Sequence, residues 1–318
     1  YVDDDGKQVF GTPVRVAKYL RNVAGQYPYK RIDLFFSDLC AARTEHLKGL
    51  MPNESRNFHI HITTEDGNEL AKRLGQTMSN NKHYLLVYDP FEATIDWNAI
   101  IPFINNWSEV ILNHMVSDSM RAVKMVKKDA ARSKYEQTYL TDLENLIPYG
   151  SDKTAYEKRV EEIIKALHRN KSRQYYIAAF PFFNEKNAIV YNLIHCTGNI
   201  KGFKLYKQSA WQTFGGKSST KNTHGNENQI MLDFEGNGFL KTMTDEFCYY
   251  IKDIAEYIQC RFDGQTNVAF DDLWAVLDEH PIFPSDGFRN DIKKELKQNY
   301  NAVVSRGKIS FVHRGITE

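Results

Sequence analysis

Three carboxylates stand where chemistry could be done. Asp38, Asp66 and Asp89 each follow a run rich in β-formers by one to three residues. A carboxylate just past a strand, such as Asp38, can accept hydrogen bonds from both hydroxyls of a ribose. Asp66, with Gly67 and Asn68, offers an acid and an amide able to read an adenine edge. Asp89 ends the run 83–88 and is followed by Pro90, Phe91 and Glu92. Proline fixes φ and removes a backbone donor, so the strand stops there. In open α/β sheets ligands bind at the carboxyl ends of the strands. Together the three acids point to a cofactor that carries a nucleoside. The same letters also serve as helix N-caps. A third chemistry is a nuclease with Mg²⁺ held by all three acids. Strand ends lie about 5 Å apart per strand, which makes such convergence harder than cofactor binding.

Other chemistries find little support. The sequence has no Gly-x-Gly-x-x-Gly and no Walker loop, since Gly215-Gly216-Lys217-Ser218 lacks the first glycine and a preceding strand. No Gly-x-Ser-x-Gly or Cys–His pair marks a nucleophile. His59 and His61 alternate along one strand and share a face, a structural pair with no third ligand nearby. The four cysteines, Cys40, Cys196, Cys248 and Cys260, show no metal-ligand spacing and read as reduced and buried in a cytoplasmic protein. No apolar run approaches the roughly 20 residues of a membrane span, so no membrane partner is expected. The net charge of +1 excludes a global basic field, leaving only a local footprint for nucleic acid.

The elements that must position the acids alternate. Gly11-Thr12-Pro13 introduces a helix over 14–23, and strands follow at 31–36 and 58–63, with helices at 41–50 and 69–78. The run 83–88 reads as a buried central strand, followed by a helix over 97–105 and a strand over 109–113. Strands alternating with helices argue an α/β fold with a mostly parallel sheet. Residues 119–170 form a helical insertion whose basic run 121–134 reads as a solvated face. Two strands at 175–183 and 188–197 flank a hairpin-like turn, and 215–228, rich in Gly, Ser, Thr and Asn, reads as a mobile loop. A helix is expected over 245–259. The tail, 262–318, carries helices over 270–278 and 287–300, the second capped by Ser285, then a hairpin around Arg306-Gly307. That order is the order of a winged helix-turn-helix. Arg289, Lys293 and Lys294 on its second helix, with Arg306 and Lys308 on the wing, would make phosphate contacts. Docking of a protein is the alternative for this module, because Asp286, Asp291 and Glu295 dilute its charge.

Several short motifs then converge on one family. Gly11-Thr12-Pro13 resembles the Gly-Ser-Pro of the three-Cys-motif partner proteins. Asp66-Gly67-Asn68 is similar to their acidic turn after the third strand, and Tyr88-Asp89-Pro90-Phe91 to their aspartate-proline-phenylalanine. Asn113 resembles the asparagine that closes their fifth strand. Tyr191-Asn-Leu-Ile-His-Cys-Thr197 with Gly202 looks like their late strand and the glycine after it. The resemblance covers roughly residues 8–212 and, in the tail, their winged-helix end.

It implies a Rossmann-like class I methyltransferase sheet over 1–212, mostly parallel with its last strand antiparallel. A loop and connecting helix (213–261) would lead to the winged helix. The implied cofactor is S-adenosylmethionine, held by Asp38, Asp66, Gly67, Asn68 and Asp89, with a first strand and glycine loop expected upstream of Tyr1. The implied protein partner carries a three-cysteine motif of the radical-S-adenosylmethionine-like kind. Nucleic acid would be the substrate, with Asp89, Pro90 and Phe91 as the catalytic loop. Base-amine methyltransferases commonly place a second proline where this chain has Phe91. A catalytically degenerate fold that binds a partner protein or nucleic acid stands as the alternative.

Overall fold

The computed structural model describes residues 9–79, 81–90, 95–105, 108–114, 132–133, 136–138, 142, 165, 175–183, 189–215 and 250–313. The expected loop 215–228, past its first residue, lies outside them, as do the turn 184–188, nearly all of the helical insertion, and Phe91. The chain falls into two compact units, residues 1–78 and 79–318.

The first unit begins with α1 (Thr12–Gln26), whose entry is set by Gly11 and Pro13. Strand β1 (Ile32–Ser37) pairs in parallel with β2 (Phe58–Thr63), in register from Ile32 opposite Phe58 to Ser37 opposite Thr63. Helices α2 (Ala41–Leu50) and α3 (Gly67–Gln76) follow the two strands. The core is small: Ala17, Ala24 and Phe58 are buried, with Leu20, Ile32, Leu34, Met51 and Ile60 packed around them. A short parallel pair cannot connect by a hairpin, so each return is made by a helix.

The second unit is built on four strands: β3 (Tyr84–Tyr88), β4 (Ser108–His114), β5 (Tyr176–Phe183) and β6 (Ile189–Thr197). Their spatial order is β3-β4-β6-β5. β3 and β4 are parallel, and β6 runs antiparallel to both β4 and β5. Thus β6, last in sequence, is the one reversed strand of the four. Helix α4 (Trp97–Asn105) supplies the buried Ile100, Phe103 and Ile104. Helix α5 (Ile200–Ala210) packs on β5 and β6 through Phe203 and Tyr206, and a π turn, Trp211–Gly215, extends it.

The run 83–88 is a strand, but not a buried central one. β3 lies at the edge of its four-stranded sheet, and Leu85 and Val87 are 60% and 59% exposed. β-forming letters report fit to a pleated surface, not the number of neighbours a strand acquires.

The C-terminal part of this unit runs α6 (Ile251–Arg261), β7 (Val268–Ala269), α7 (Phe270–Glu279), α8 (Arg289–Asn299), β8 (Val303–Ser305) and β9 (Lys308–Ser310). The strands form a small antiparallel sheet in the order β7-β9-β8, turning at Gly307 with φ +76°. Ile292 and Leu296, four apart on α8, are fully buried together with Ile254 and Ile258 of α6.

Two smaller expectations fail here. Ser285 does not cap α8: Phe288 occupies the cap, and the Ser285 hydroxyl donates to Asp278 at 2.7 Å. A nearby half-buried carboxylate outcompetes the helix end for that hydroxyl. Cys260 is exposed rather than buried, on the outer side of α6, whereas Cys196 is buried on β6. No helix among the described residues is long and apolar enough to cross a membrane.

Candidate functional site

In the first unit, Asp38 and Asp66 lie at the same end of the β1–β2 pair. Asp38 follows β1 directly, and its backbone N–H donates to the carbonyl of Thr63 on β2 at 3.3 Å. Its Oδ1 accepts from the Cys40 backbone N–H at 2.8 Å, and Oδ2 sits 3.2 Å from the Arg43 guanidinium. That arrangement steadies the first turn of α2. Arg43 also acts on Cys40: its backbone N–H, then its guanidinium, lower the thiol pKa. Asp66 caps α3, its Oδ1 accepting from the backbone of Asn68 at 2.7 Å and of Glu69 at 3.4 Å. Oδ2 of Asp66 takes part in neither bond. Gly67 packs beneath: a Cβ there would sit 3.4 Å from the Ser37 hydroxyl, an ordinary contact. Both acids therefore have cap duties and stand at the carboxyl end of their strands.

His59 and His61 project from β2. His61 Nε2 lies 3.4 Å from Asp33, and His59 lies 3.8 Å from Glu54. Asp33 is held mainly by Arg31, whose hydrogen bonds lower its pKa. Among the described residues no three His, Cys, Asp or Glu side chains are placed to hold a metal ion.

In the second unit, Asp89 emerges exposed from β3, with Pro90 half-buried behind it. The amide of Asn113, near the end of β4, donates to Asp89 Oδ1 at 2.8 Å. Parallel pairing of Tyr88 with Leu112 brings the next residue on each strand side by side. The carboxylate is thereby held while its other oxygen stays available. The bond to Asp89 sets which way the Asn113 amide faces, and its carbonyl oxygen is buried with no hydrogen-bond partner among the described residues. Tyr191 of β6 stands close by: burial and then the Asp89 charge raise its pKa. On the opposite face of the same strand ends, His114 and Asn192 are paired in register and buried.

The loop beyond Pro90 is anchored where it rejoins the fold. The Asp96 N–H donates to the Tyr88 hydroxyl at 3.0 Å, and Ile95 donates to the buried Thr138 hydroxyl at 3.0 Å. Trp97 Nε1 adds bonds to the carbonyls of Gln137 and Thr138. Phe91 itself lies outside the described residues.

At the amino end of β4, Glu109 meets the buried His195 at 2.8 Å, which holds the carboxyl below its usual pKa. Gly202 of α5 makes room for it; a Cβ there would sit 3.0 Å from Glu109 Oε1. This pair belongs to the packing of α5 and lies at the far end of the strands from Asp89.

The expected phosphate contacts divide. Arg289 is held locally, although its side chain is 42% exposed: it donates to Asp286 at 2.8 Å, stacks over Trp274 at 5.3 Å, and its Nε is buried with no hydrogen-bond partner among the described residues. Lys293 is half-buried with its ammonium 5.1 Å above the Phe270 ring. Lys294, Arg306 and Lys308 are exposed.

One residue that pattern reading passes over is Lys207. It is 2% exposed, and its ammonium contacts the carbonyls of Leu277 (2.7 Å), His280 (2.8 Å), Phe283 (3.1 Å) and Asp278 (3.3 Å). The Phe203 ring lies 4.1 Å from it. Burial pushes its pKa down to about 7. His280, whose Nδ1 accepts from the N–H groups of Ile282 and Phe283, is pushed down to about 3 by burial and by Lys207. The available signal was a lysine on the apolar stripe of a helix, with Phe203, Ala210 and Trp211. No family model matches the chain, and no curated protein matches it.

Proposed function

We propose that the chain is an S-adenosylmethionine-dependent methyltransferase of the class I fold that acts on nucleic acid. The observation that carries this reading is the strand order β3-β4-β6-β5 with β6 alone reversed. An antiparallel last strand slipped between its two predecessors is what that fold would place there. The succession α6, β7, α7, α8, β8, β9 supports a winged helix at the end of the chain.

The donor set fits the cofactor. Asp66 keeps Oδ2 outside its capping bonds, and the pair between Asp38 and Arg43 is solvent-exposed and therefore easily exchanged for ribose hydroxyls. Bound S-adenosylmethionine would supply an electrophilic methyl group. The chain's own residues would then position the acceptor: Asp89 would accept one hydrogen bond from a base amine, the Pro90 carbonyl a second, and Phe91 would stack on the base. Asn113 holds the Asp89 carboxylate in place. Positioning of this kind supplies much of the rate in a direct displacement. A base inside a duplex must first leave the stack. A partner with a three-cysteine motif belongs to the same reading.

A second reading is a binding module without chemistry, favoured by the engagement of both Asp38 oxygens. Titration calorimetry with S-adenosylmethionine on the full polypeptide separates the two. Saturable binding is expected, weakened about 10- to 150-fold by Asp38→Ala, the loss of charge-assisted hydrogen bonds at about 1.5–3 kcal/mol. Absence of binding would leave the module reading in front.

A further inference from the structure

The tail could meet a duplex in two ways: with the amino end of α8 in a groove, or with the remaining basic surface along the backbone. Packing crowds the first, leaving Asn290 as the exposed residue of that turn. At Gly287 (φ +83°) a Cβ would lie 2.8 Å from Gln208 Nε2 and 3.1 Å from Gln212 Nε2, so α5 and the π turn sit directly against the start of α8. Phe288 is 1% exposed and packs on Trp211 at 5.9 Å between ring centroids. Asp286 is held by Lys204 at 3.4 Å and by Arg289 at 2.8 Å. The turn before α8 is fixed further by Lys207, by Trp211 Nε1 donating to the Ile282 carbonyl, and by Ala179 donating to the Pro281 carbonyl. A base-reading helix needs its first turn free.

The second surface is open. Lys294 and Lys297 of α8, and Arg306 and Lys308 of the wing, are exposed and make no ion pair among the described residues. On α8, Lys293 and Lys297, four apart, share one flank, Asp291 and Glu295, also four apart, share the other, and Lys294 lies between them. Residues 300–313 contain Arg306, Lys308 and His313 and no acid. Phe270 joins helix and wing: Lys293 lies above its ring, its N–H donates to the Gly307 carbonyl at 3.1 Å, and Lys308 pairs in register with Ala269 beside it. Asp271 and Asp272, exposed on the first turn of α7, bound the surface on one side and repel phosphate there.

We propose that the tail holds duplex nucleic acid by its phosphates, through Lys294, Lys297, Arg306 and Lys308, and does not read base sequence with α8. The proposal rests on the nucleic-acid reading above. It makes the tail a sequence-tolerant grip, leaving the choice of acceptor base to the site at Asp89.

Fluorescence anisotropy of labelled duplex DNA against the full polypeptide, repeated across a salt series, tests it. Two duplexes of unrelated sequence should bind within a few-fold of each other. Lys294→Ala, Lys297→Ala, Arg306→Ala and Lys308→Ala should each weaken binding several-fold and lower the salt slope by about one. Asn290→Ala, at the exposed position of the crowded first turn, and Arg289→Ala should leave both quantities close to wild type. Thermal unfolding of every variant checks that the fold is retained. A loss with Asn290→Ala equal to that with Lys294→Ala, or a strong sequence preference, would overturn the proposal while nucleic-acid binding stands. A wild-type chain that binds no duplex overturns it together with the nucleic-acid reading, and calorimetry with S-adenosylmethionine still reports on the cofactor separately.

Discussion

Asp89→Ala should leave the chain folded and abolish most methyl transfer. Asp89 is exposed and accepts one described hydrogen bond, from Asn113, so its loss costs about 1 kcal/mol of stability. Its proposed task exists only when an acceptor amine is aligned for attack, and a group that acts there lowers turnover without lowering cofactor affinity. The expected loss is on the order of a hundredfold or more in turnover. Asp89→Asn refines the test, because an amide oxygen can still receive the Asn113 N–H while the negative charge is gone. Recovery by Asn would mean that the hydrogen bond alone suffices; continued loss would assign the effect to charge. The discriminating experiment measures thermal unfolding and methyl transfer on the same preparation. A variant that melts early but transfers normally while folded would remove Asp89 from the catalytic loop.

Lys207→Met should produce the largest change in stability. Methionine keeps much of the length of the side chain, so packing is nearly conserved while four carbonyl oxygens lose their donor. Removing one partner from a buried, charged arrangement costs about 3–5 kcal/mol. For a unit of this size each kcal/mol moves the midpoint by about 2–4 °C, so a fall of roughly 6–20 °C is expected by calorimetric or optical melting. The pH dependence carries a sign. The Lys207 pKa falls to about 7 in the folded chain because burial disfavours the ammonium, against an ordinary value of 10.5. Between those values the unfolded chain binds the extra proton, so the contribution of Lys207 to stability rises with pH across that window. The difference in stability between wild type and Lys207→Met should therefore widen from about pH 7 to pH 10. Asp278, Asp286, Lys204 and His280 face the same ammonium. A difference that stays flat with pH would contradict the burial of a titrating lysine.

Much of the fold was legible because its punctuation is local. Gly11-Thr12-Pro13, the acid-rich turn at 65–68 and Asp89-Pro90 mark where elements start and stop, and α2, β2 and α4 span 41–50, 58–63 and 97–105 as the letters indicate. Phe58 to Thr63 alternates, and alternation survives whatever packs against it. What the letters could not carry was partnership across long separations. The place of β3 at the sheet edge depends on which strands flank it, information held by no residue within the run. Ser285 chose Asp278 over the helix end because the fold brings a carboxylate to it. Lys207 looks like a solvated lysine until the carbonyls some seventy positions downstream arrive around it. The site itself was half visible. Asp89 and Asn113 were each marked as strand ends, but their contact follows from the parallel register of β3 and β4.

The most direct test of the methyltransferase reading follows a labelled methyl group. The full polypeptide is incubated with S-adenosylmethionine carrying a radioactive methyl and with total cellular nucleic acid, which is then digested to nucleosides and separated. The account predicts label in a base-modified nucleoside, at a rate that falls by orders of magnitude with Asp89→Ala. Unlabelled nucleosides from a chain shown by calorimetry to bind the cofactor would contradict it.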